Sequence, residues 1–229
     1  MSNTVEYSRD DYTHALKDWR LVADACDGER AIKKAGDKYL PIPNPTDESA
    51  ENKKRYEQYK TRAVFLEATN NTLEGLIGSA FRKNPVLTIP AGLKYATSDV
   101  DGMGLSINQQ AQDTLGSVLK KGRRFLFVDY PKTEKQTSKA DQSKGLVRPS
   151  IISIEAEKVR NWRVEKFGGA YRLSLVVIEE SHEVVAEDGF GVKIEPQYRV
   201  LKLIGGQYII EVWRKAGNSK VWSLYDKHF

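Results

Sequence analysis

Residues 105–131 read LSINQQAQDTLGSVLKKGRRFLFVDYP, and in this stretch a strong helix pattern runs directly into a strong strand pattern. Ser106 and Gln109 have the spacing of a capping box, in which two side chains satisfy backbone donors at the start of a helix. Gly122 is a typical helix stop, because glycine readily adopts the left-handed conformation found there. These signals predict a helix over residues 107–121.

The predicted helix carries one apolar stripe, because apolar residues recur along it at steps of three and four. Its members are Ile107, Ala111, Leu115, Val118 and Leu119. Residues 124–130 follow at once, are dense in aromatic and branched side chains, and are closed by Pro131, which cannot donate to a strand ladder. We therefore predict a buried strand at 124–130, with the helix lying on the sheet that this strand joins.

The chain before this stretch has mainly helical patterns, and the chain after it has mainly strand patterns. From residue 150 the apolar period changes to two, which indicates strands. Residues 159–164 are predicted to pair with 171–178 across 167–169, and residues 198–204 with 207–214 across Gly205 and Gly206. A last strand is predicted at 220–225.

The fold class predicted is α+β, with a helical N-terminal half packed on a mainly antiparallel β-sheet. Residues 1–130 form the helical part and end in a core strand, and residues 150–229 form the antiparallel part. Between them, residues 131–149 are polar, charged and almost without large apolar side chains. Such a composition cannot bury a core, so we expect a long mobile loop there.

Several finer features of the N-terminal half follow from local patterns. Ser8 is predicted to cap a first helix. Tyr12, Leu16, Trp19, Ala23 and Cys26 form its buried stripe. A helical region begins at Thr46 or Asp47 and extends to residue 84, with a kink or break at Asn70 and Asn71, which are weak helix formers. Gly75 and Gly78 suggest that another element packs closely there. Residues 86–89 are predicted to be a short edge strand.

Composition excludes few functions. The 229 residues are 40% hydrophobic and 29% charged, with a formal net charge of +5 and a pI near 9.1. A mildly basic chain can contact nucleic acid, but its lysines and arginines are interspersed with acidic residues. One cysteine, Cys26, allows no intramolecular disulfide and no metal-binding cysteine pair. No apolar run is long enough to cross a bilayer, and no secretory signal is visible.

Catalytic motifs are missing from the sequence. No phosphate-binding glycine loop, HExxH motif or GxSxG nucleophile elbow is present. The run Ser98-Asp99-Val100-Asp101-Gly102 has some calcium-loop character, but Met103 and Gln110 stand where further ligands belong, so a turn is favoured. The pairs Glu179-Glu180 and Glu187-Asp188 are read as solvated strand edges, because neighbouring strand residues point to opposite faces.

Other reactive residue types are read as structural. Lys120, Lys121, Arg123 and Arg124 could bind phosphate, although cations at the end of a helix are also favoured by its dipole. His14, His182 and His228 lie far apart in sequence, and Cys26 lies on a core face, so all four are expected to have structural or surface roles. We therefore predict no enzymatic activity, no cofactor and no metal.

The order of several segments resembles the N-terminal half of portal proteins from tailed bacteriophages. The resemblance runs through residues 18–41, 59–85, 99–131, 148–163 and 197–214. Its carriers include Trp19, Gly28, Arg30, Tyr39, Pro41, Gly75, Phe81, Gly122, Asp129, Pro131, Trp162 and Trp213. No single residue identifies the family; the ordered set carries the resemblance.

The resemblance implies a structural virion protein, made in the host bacterial cytoplasm and assembled into a ring of typically twelve copies at one capsid vertex. DNA passes through such a ring during packaging and ejection. Capsid and scaffolding proteins, a packaging terminase and a tail adaptor are the implied partners, and no membrane is involved. Portal chains continue beyond this sheet into stem, clip and crown, so we expect this chain to carry only the peripheral wing, without the parts that dock the motor.

Two other functions are kept as alternatives. One is a small metal-dependent phage or bacterial hydrolase, with a site formed by residues 131–146 and the Glu179-Glu180 strand end. The other is a DNA-binding module that uses residues 120–124, whose affinity would fall steeply with salt.

Overall fold

The structure is a computed structural model that describes residues 4–130, 147–186, 188–215 and 221–228. Two compact units are present: a helical unit, Lys17–Arg123, and a β unit that combines the chain up to Leu16 with the chain from Arg124 onward. The α+β class predicted from the sequence is confirmed. The unit boundaries differ from the predicted ones, because the first residues of the chain and the strand after Gly122 belong to the β unit.

Five α-helices lie in the described part of the chain. They are α1 (Asp10–Cys26), α2 (Glu29–Ala35), α3 (Ala50–Arg62), α4 (Ala68–Ala80) and α5 (Ile107–Lys121). Short 3-10 helices occupy Gly36–Lys38, Ala91–Thr97 and Ala156–Lys158. None of the described helices is long and apolar enough to cross a membrane.

The predicted ends of α5 are confirmed. The Ser106 Oγ atom accepts the Gln109 N–H at 3.2 Å, and the Gln109 side chain accepts the Ser106 N–H at 3.2 Å, which completes the capping box. Gly122 ends the helix at φ 74°, in the left-handed region. Two orphan donors at the helix start are therefore satisfied within the helix itself.

We expect Ser106→Ala to lower the free energy of unfolding by about 1 kcal/mol, because it removes one half of the capping box. Urea unfolding measures the loss. Ser79→Ala is the matched control, since Ser79 is exposed in the last turns of α4; it should change stability by less than about 0.5 kcal/mol. Equal losses in both variants would contradict a specific capping role.

The apolar stripe of α5 is not buried as predicted. The buried residues of α5 are Gln110 and Gly116, whereas Val118 and Leu119 are exposed. Helix α5 packs against α4, and a Cβ atom at Gly116 would lie 3.1 Å from Ile77 Cδ1. The glycine at the close contact between α4 and α5 is therefore Gly116 of α5. The predicted packing of α5 on the sheet stays a prediction.

Two predictions about α4 are wrong. Gly75 and Gly78 have open space at their Cβ positions, so no described element packs closely there. Asn70 and Asn71 lie inside α4, and the break falls at residues 63–67 instead. Contacts from α2 hold this connection. The Lys33 ammonium donates to the Thr61 carbonyl at 2.9 Å, and the Phe65 N–H donates to a Glu29 carboxylate oxygen at 3.5 Å.

Two predicted caps and one strand also differ. Helix α3 begins after Ser49, whose Oγ accepts the Asn52 N–H at 3.2 Å, rather than at Thr46 or Asp47. Helix α1 begins at Asp10, because Ser8 Oγ instead accepts a hydrogen bond from Arg160 Nε at 3.0 Å. Residues 86–89 have no strand partner in the described chain; the 3-10 helix Ala91–Thr97 follows them.

The described residues of the β unit contain seven strands, which form two antiparallel sheets. Strands β1 (Phe125–Asp129) and β2 (Ser150–Ile154) form a two-stranded sheet. Strands β3 (Val159–Phe167), β4 (Ala170–Val185), β5 (Val192–Ile204), β6 (Gln207–Lys215) and β7 (Trp222–His228) form a five-stranded meander in chain order. The prediction of a buried β1 is wrong, because Leu126 and Val128 are exposed and only the alternate residues face inward.

The predicted hairpins are confirmed. Gly168 and Gly169 link β3 to β4, and Gly205 and Gly206 link β5 to β6. Gly205 and Gly206 have φ values of 59° and 87°, as a primed two-residue turn requires. The last strand ends at His228 rather than residue 225. The predicted loop falls mostly on residues 131–146, which lie outside the described residues.

Each face of the five-stranded sheet has its own apolar cluster. On the first, here called the covered face, Val159, Val176 and Ile178 pack with Ile154, and Phe125 and Phe127 of β1 pack against this cluster. On the second, here called the groove face, the cluster consists of Val177, Tyr198 and Val200, with Val5, Leu175, Trp213 and Trp222 packed against it. The sheet is therefore buried on one side by β1 and β2 and partly open on the other.

Candidate functional site

The Asp99–Gly104 segment forms a turn held by its own carboxylates. Asp99 Oδ1 accepts the N–H groups of Gly102 and Gly104 at 2.8 and 2.9 Å. Asp101 Oδ1 accepts those of Met103 and Leu105 at 2.8 and 3.2 Å. Because these oxygens bind backbone N–H groups, the turn interpretation is confirmed.

Glu179 and Glu180 do not form a shared carboxylate site. Their side chains point to opposite faces of β4, and each one pairs with a different arginine. Glu179 Oε2 lies 3.2 Å from Arg160 NH1, and Glu180 Oε1 lies 2.9 Å from Arg199 Nε. Both carboxylates are thus neutralised by structural ion pairs, so little negative charge is left to bind a metal.

The basic cluster at the end of α5 is divided among separate structural contacts. Arg124 donates to Ser153 Oγ at 2.7 Å and pairs with Glu155. The Arg123 guanidinium lies 4.5 Å from the centre of the Trp19 ring. Two of the four predicted cations are therefore held by protein partners, which weakens the case for a common phosphate site.

The histidines and the cysteine belong to different elements of the structure. His14 is exposed on α1, His182 lies in β4, and His228 Nδ1 is 3.3 Å from Asp226 Oδ2. Cys26 is buried. Within the described ranges, no three His, Cys, Asp or Glu side chains lie together as a metal ion would require.

Several residues that carry the portal resemblance have structural contacts. Tyr39 donates its hydroxyl to Asp24 Oδ2 at 2.5 Å, and Trp213 Nε1 donates to Glu211 Oε2 at 3.1 Å. Asp129 Oδ2 lies 3.7 Å from Arg199 NH1. Trp19 is buried and Gly28 precedes α2. Phe81 ends α4, and Gly122 ends α5.

The remaining resemblance positions fall into three groups. Trp162 packs against the core of the covered face. Arg30, Pro41 and Gly75 are exposed. Pro131 lies outside the described residues. The eleven described positions are divided between the helical unit and the β unit.

Within the β unit, a polar seam joins the start of the chain to the strands, and no local sequence pattern predicted it. Arg160 donates to Ser8 Oγ at 3.0 Å and to the Tyr198 hydroxyl at 2.6 Å, in addition to its pair with Glu179. The Tyr12 hydroxyl donates to the Glu157 carbonyl at 2.9 Å. Burial raises the pKa of Tyr198, although the nearby Arg160 charge opposes that rise. The phenol therefore stays neutral at physiological pH.

Arg9 extends this seam toward β3. Its guanidinium lies 4.7 Å from the centre of the Trp162 ring and donates to the Trp162 carbonyl at 2.9 Å. A cation over an aromatic face adds to the hydrogen bond. Segment 4–9 is thereby fixed beside the groove face.

A groove of about 700 Å³ lies on the groove face of the β unit. Its apolar lining is supplied by Val5, Leu175, Val177, Val200, Trp213 and Trp222. Asn161, Arg163 and Lys202 add polar groups, and Glu6 lies at the same rim. A concave, mostly apolar surface with a few polar groups is the usual form of a binding site.

An ion pair with a buried carboxylate lies beneath the groove. Glu211 Oε2 lies 2.7 Å from Lys202 Nζ and also accepts the Trp213 Nε1 hydrogen bond. Burial would raise the pKa of Glu211, but the hydrogen bonds from Lys202 and Trp213 outweigh it, so the pKa lies below its usual range. The groove therefore offers apolar contact and fixed charge, which suits binding rather than acid-base catalysis.

Compared with known proteins, the chain matches no protein-family model and no curated protein.

Proposed function

We propose that this chain is a structural assembly subunit, and specifically the wing part of a phage portal ring. The observation that carries the proposal is the contrast between its polar and its apolar side chains. The polar candidates for chemistry are engaged in structural contacts, whereas large apolar side chains are left exposed in patches on both units. Exposed apolar patches of this kind typically mark protein–protein contacts.

The helical unit has one such patch around α4 and α5. Leu76, Val118 and Leu119 are exposed, and Leu73, Leu76 and Leu119 line a cleft of about 390 Å³. A helix pair with an uncovered apolar face is typical of a helix-packing or subunit contact.

The β unit has two further patches. Leu126, Val128 and Tyr130 are exposed on or beside β1. Val185, Phe190, Val192 and Ile194 are exposed around the β4–β5 turn. Since these two patches differ from one another, they favour heterologous contacts, in which one surface of a subunit meets another surface of its neighbour. Heterologous contacts that close produce rings.

In the proposed role the ring lies at one capsid vertex, with DNA passing through its centre. Capsid and scaffolding proteins are the expected partners of the outer surface. Terminase and tail adaptor would bind other parts of the portal. No DNA contact is proposed for Arg123 or Arg124, because Arg123 is held by Trp19 and Arg124 by Ser153 and Glu155.

The proposal predicts self-association. Light scattering over a range of concentrations should show a mass that rises toward a ring of about a dozen subunits, and electron microscopy of the same sample should show closed rings. A chain that stays monomeric at every concentration would overturn the proposal.

The two alternatives are tested with the same sample. A metal-dependent hydrolase should gain thermal stability when a divalent metal is added, because a ligand that binds only the folded state raises its melting temperature. A DNA-binding module should bind duplex DNA with an affinity that falls steeply as salt rises. We expect neither effect.

A further inference from the structure

Aspartate stands directly before glycine at three places in the sequence: Asp27-Gly28, Asp101-Gly102 and Asp188-Gly189. In such a pair the glycine nitrogen can attack the aspartate side-chain carboxyl carbon and close a five-membered succinimide ring. Glycine favours this step, since it has no side chain to obstruct the approach. Ring closure is fast where the two reacting groups are free to meet and slow where other bonds hold them apart. The surroundings of each pair therefore decide its reactivity.

The pair Asp101-Gly102 has both reacting groups engaged in hydrogen bonds. Asp101 Oδ1 accepts the N–H groups of Met103 and Leu105 at 2.8 and 3.2 Å. The Gly102 N–H donates to Asp99 Oδ1 at 2.8 Å. Ring closure at Asp101 must therefore break hydrogen bonds of the carboxylate and of the nitrogen before the two can meet.

The pair Asp188-Gly189 is restrained in the same way. Asp188 Oδ1 accepts the N–H groups of Phe190 and Gly191 at 3.0 and 3.1 Å, and the Gly189 N–H donates to the Ala186 carbonyl at 2.9 Å. The hydrogen bonds to its carboxylate hold the pKa of Asp188 below its usual range. The carboxylate is thus ionised at neutral pH, and an ionised carboxylate is a poor electrophile.

The pair Asp27-Gly28 has neither restraint. Asp27 follows α1 and is exposed, and its carboxylate forms no hydrogen bond or ion pair with any residue that the structure describes. Gly28 precedes α2, and its N–H finds no acceptor within the described ranges. Both reacting groups are therefore free at this pair and engaged at the other two.

The fold also requires glycine at position 28. Gly28 has φ 76°, in the left-handed region that favours glycine, and a Cβ atom there would clash with the Glu67 carboxylate. The Gly28 carbonyl accepts the N–H groups of Ala31 and Ile32 at 3.0 and 3.1 Å, which starts α2. The residue that begins α2 is thus also the one that makes Asp27 reactive.

We propose that Asp27 is a site of spontaneous isoaspartate formation and that the fold protects Asp101 and Asp188 from it. The Gly28 nitrogen attacks Cγ of the protonated Asp27 carboxyl group. The N–Cγ bond forms, the bond from Cγ to the hydroxyl breaks, and the hydroxyl leaves with the amide proton as water. A second water then opens the ring at the Asp27 backbone carbonyl, so the main chain continues through the former side-chain carboxyl. The reaction needs no neighbouring subunit and is independent of the proposed function.

Isoaspartate at position 27 adds one methylene group to the main chain just before α2. Glu29 and Lys33 of α2 hold residues 61–65 through the hydrogen bonds described above. A longer main chain displaces α2 from these contacts and loosens the connection between α3 and α4. We therefore expect the bond after the exposed Arg62 to become more accessible to trypsin.

Peptide mapping of the aged full chain tests the site. The chain is incubated in mildly acidic buffer, where a part of its carboxyl groups is protonated. Isoaspartate is identified as a peptide of unchanged mass and altered retention that an aspartate-specific protease does not cleave. Its yield at Asp27 should exceed that at Asp101 and Asp188 by about fivefold or more, the factor that one hydrogen bond of typical strength gives.

The same incubation in urea is the control for the role of the fold. Unfolding removes the turns that engage Asp101 and Asp188, so the three yields should agree within about twofold. Equal yields in the folded chain would overturn the proposal. An excess at Asp27 that persists in urea would assign the reactivity to the neighbouring sequence and would overturn the protective role of the fold.

Asp27→Glu tests the effect on α2, because glutamate keeps the charge but cannot form the five-membered ring. Cleavage after Arg62 should be about twofold faster or more in aged than in fresh wild-type chain, since proteolysis follows the population of the open form. Aged and fresh Asp27→Glu should be cleaved equally, and unchanged circular dichroism will show that the variant folds. Isoaspartate without faster cleavage, or the same acceleration in Asp27→Glu, would overturn the coupling to α2.

Discussion

Glu211→Ala is expected to lower the free energy of unfolding by about 2 kcal/mol at neutral pH. The Glu211 side chain is 9% exposed and receives hydrogen bonds from Lys202 and from the Trp213 indole. Its removal leaves both donors without their shared acceptor. Lys202 is 37% exposed, so water can solvate its charge, which keeps the loss below that of a fully buried pair.

The same pair makes stability depend on pH. The folded pKa of Glu211 lies below its ordinary value, so the folded state binds its proton less tightly than the unfolded chain does. The stabilisation is therefore present above the unfolded pKa of about 4.3 and is lost as pH falls through the folded pKa. Urea unfolding between neutral and acidic pH should show a smaller decline in Glu211→Ala than in the wild-type chain.

Glu165→Ala is the matched control for this prediction. Glu165 Oε1 lies 3.0 Å from Arg163 Nε, but both side chains are more than half exposed. A surface pair of that kind contributes between about 0 and 1 kcal/mol. If the two variants lost the same stability, the burial of Glu211 would not be the cause.

The features that could be predicted from the sequence depend on neighbouring residues. The capping box at Ser106 and Gln109 spans three positions, and the stop at Gly122 is a property of one residue. The Gly205-Gly206 hairpin also needs only the turn and the alternating strands beside it. Local patterns of this kind predicted the helices, the hairpins and the α+β class.

The features that could not be predicted depend on residues far apart in sequence. The break between α3 and α4 is held by Lys33 at Thr61 and by Glu29 at Phe65. Asn70 and Asn71 have low helix propensity. Tertiary packing nevertheless outweighs helix propensities, which differ by less than about 1 kcal/mol per residue. No local pattern around residue 65 shows the partner that fixes it.

The burial of α5 and β1 was predicted wrongly for a related reason. The apolar stripe of α5 and the apolar run of β1 both predicted buried side chains, yet Leu119 and Leu126 are exposed. An apolar stripe shows that a surface needs a partner, but the partner can lie in the same chain or in another one. The groove was missed because it combines residues from several strands, and the alternation of apolar residues alone does not show whether a sheet face is covered.

Ile178→Ala is expected to lower the free energy of unfolding by about 3 kcal/mol, because the deletion of a buried isoleucine side chain loses apolar burial and leaves a cavity. Ile178 is 3% exposed in β4 and packs with Ile154, Val159 and Val176 on the covered face. That cluster joins the two sheets of the β unit, since Ile154 belongs to β2. The loss should therefore appear in the unfolding of the whole β unit.

Ile204→Ala separates this cavity effect from a general cost of shortening an isoleucine. Ile204 ends β5 beside the Gly205-Gly206 turn and is 56% exposed, so its truncation should cost less than about 0.5 kcal/mol. Urea unfolding followed by tryptophan fluorescence measures both variants, because Trp162 packs against the same cluster and Trp213 lies on the opposite face. A loss below about 1 kcal/mol for Ile178→Ala would mean that β1 and β2 do not cover the sheet as described.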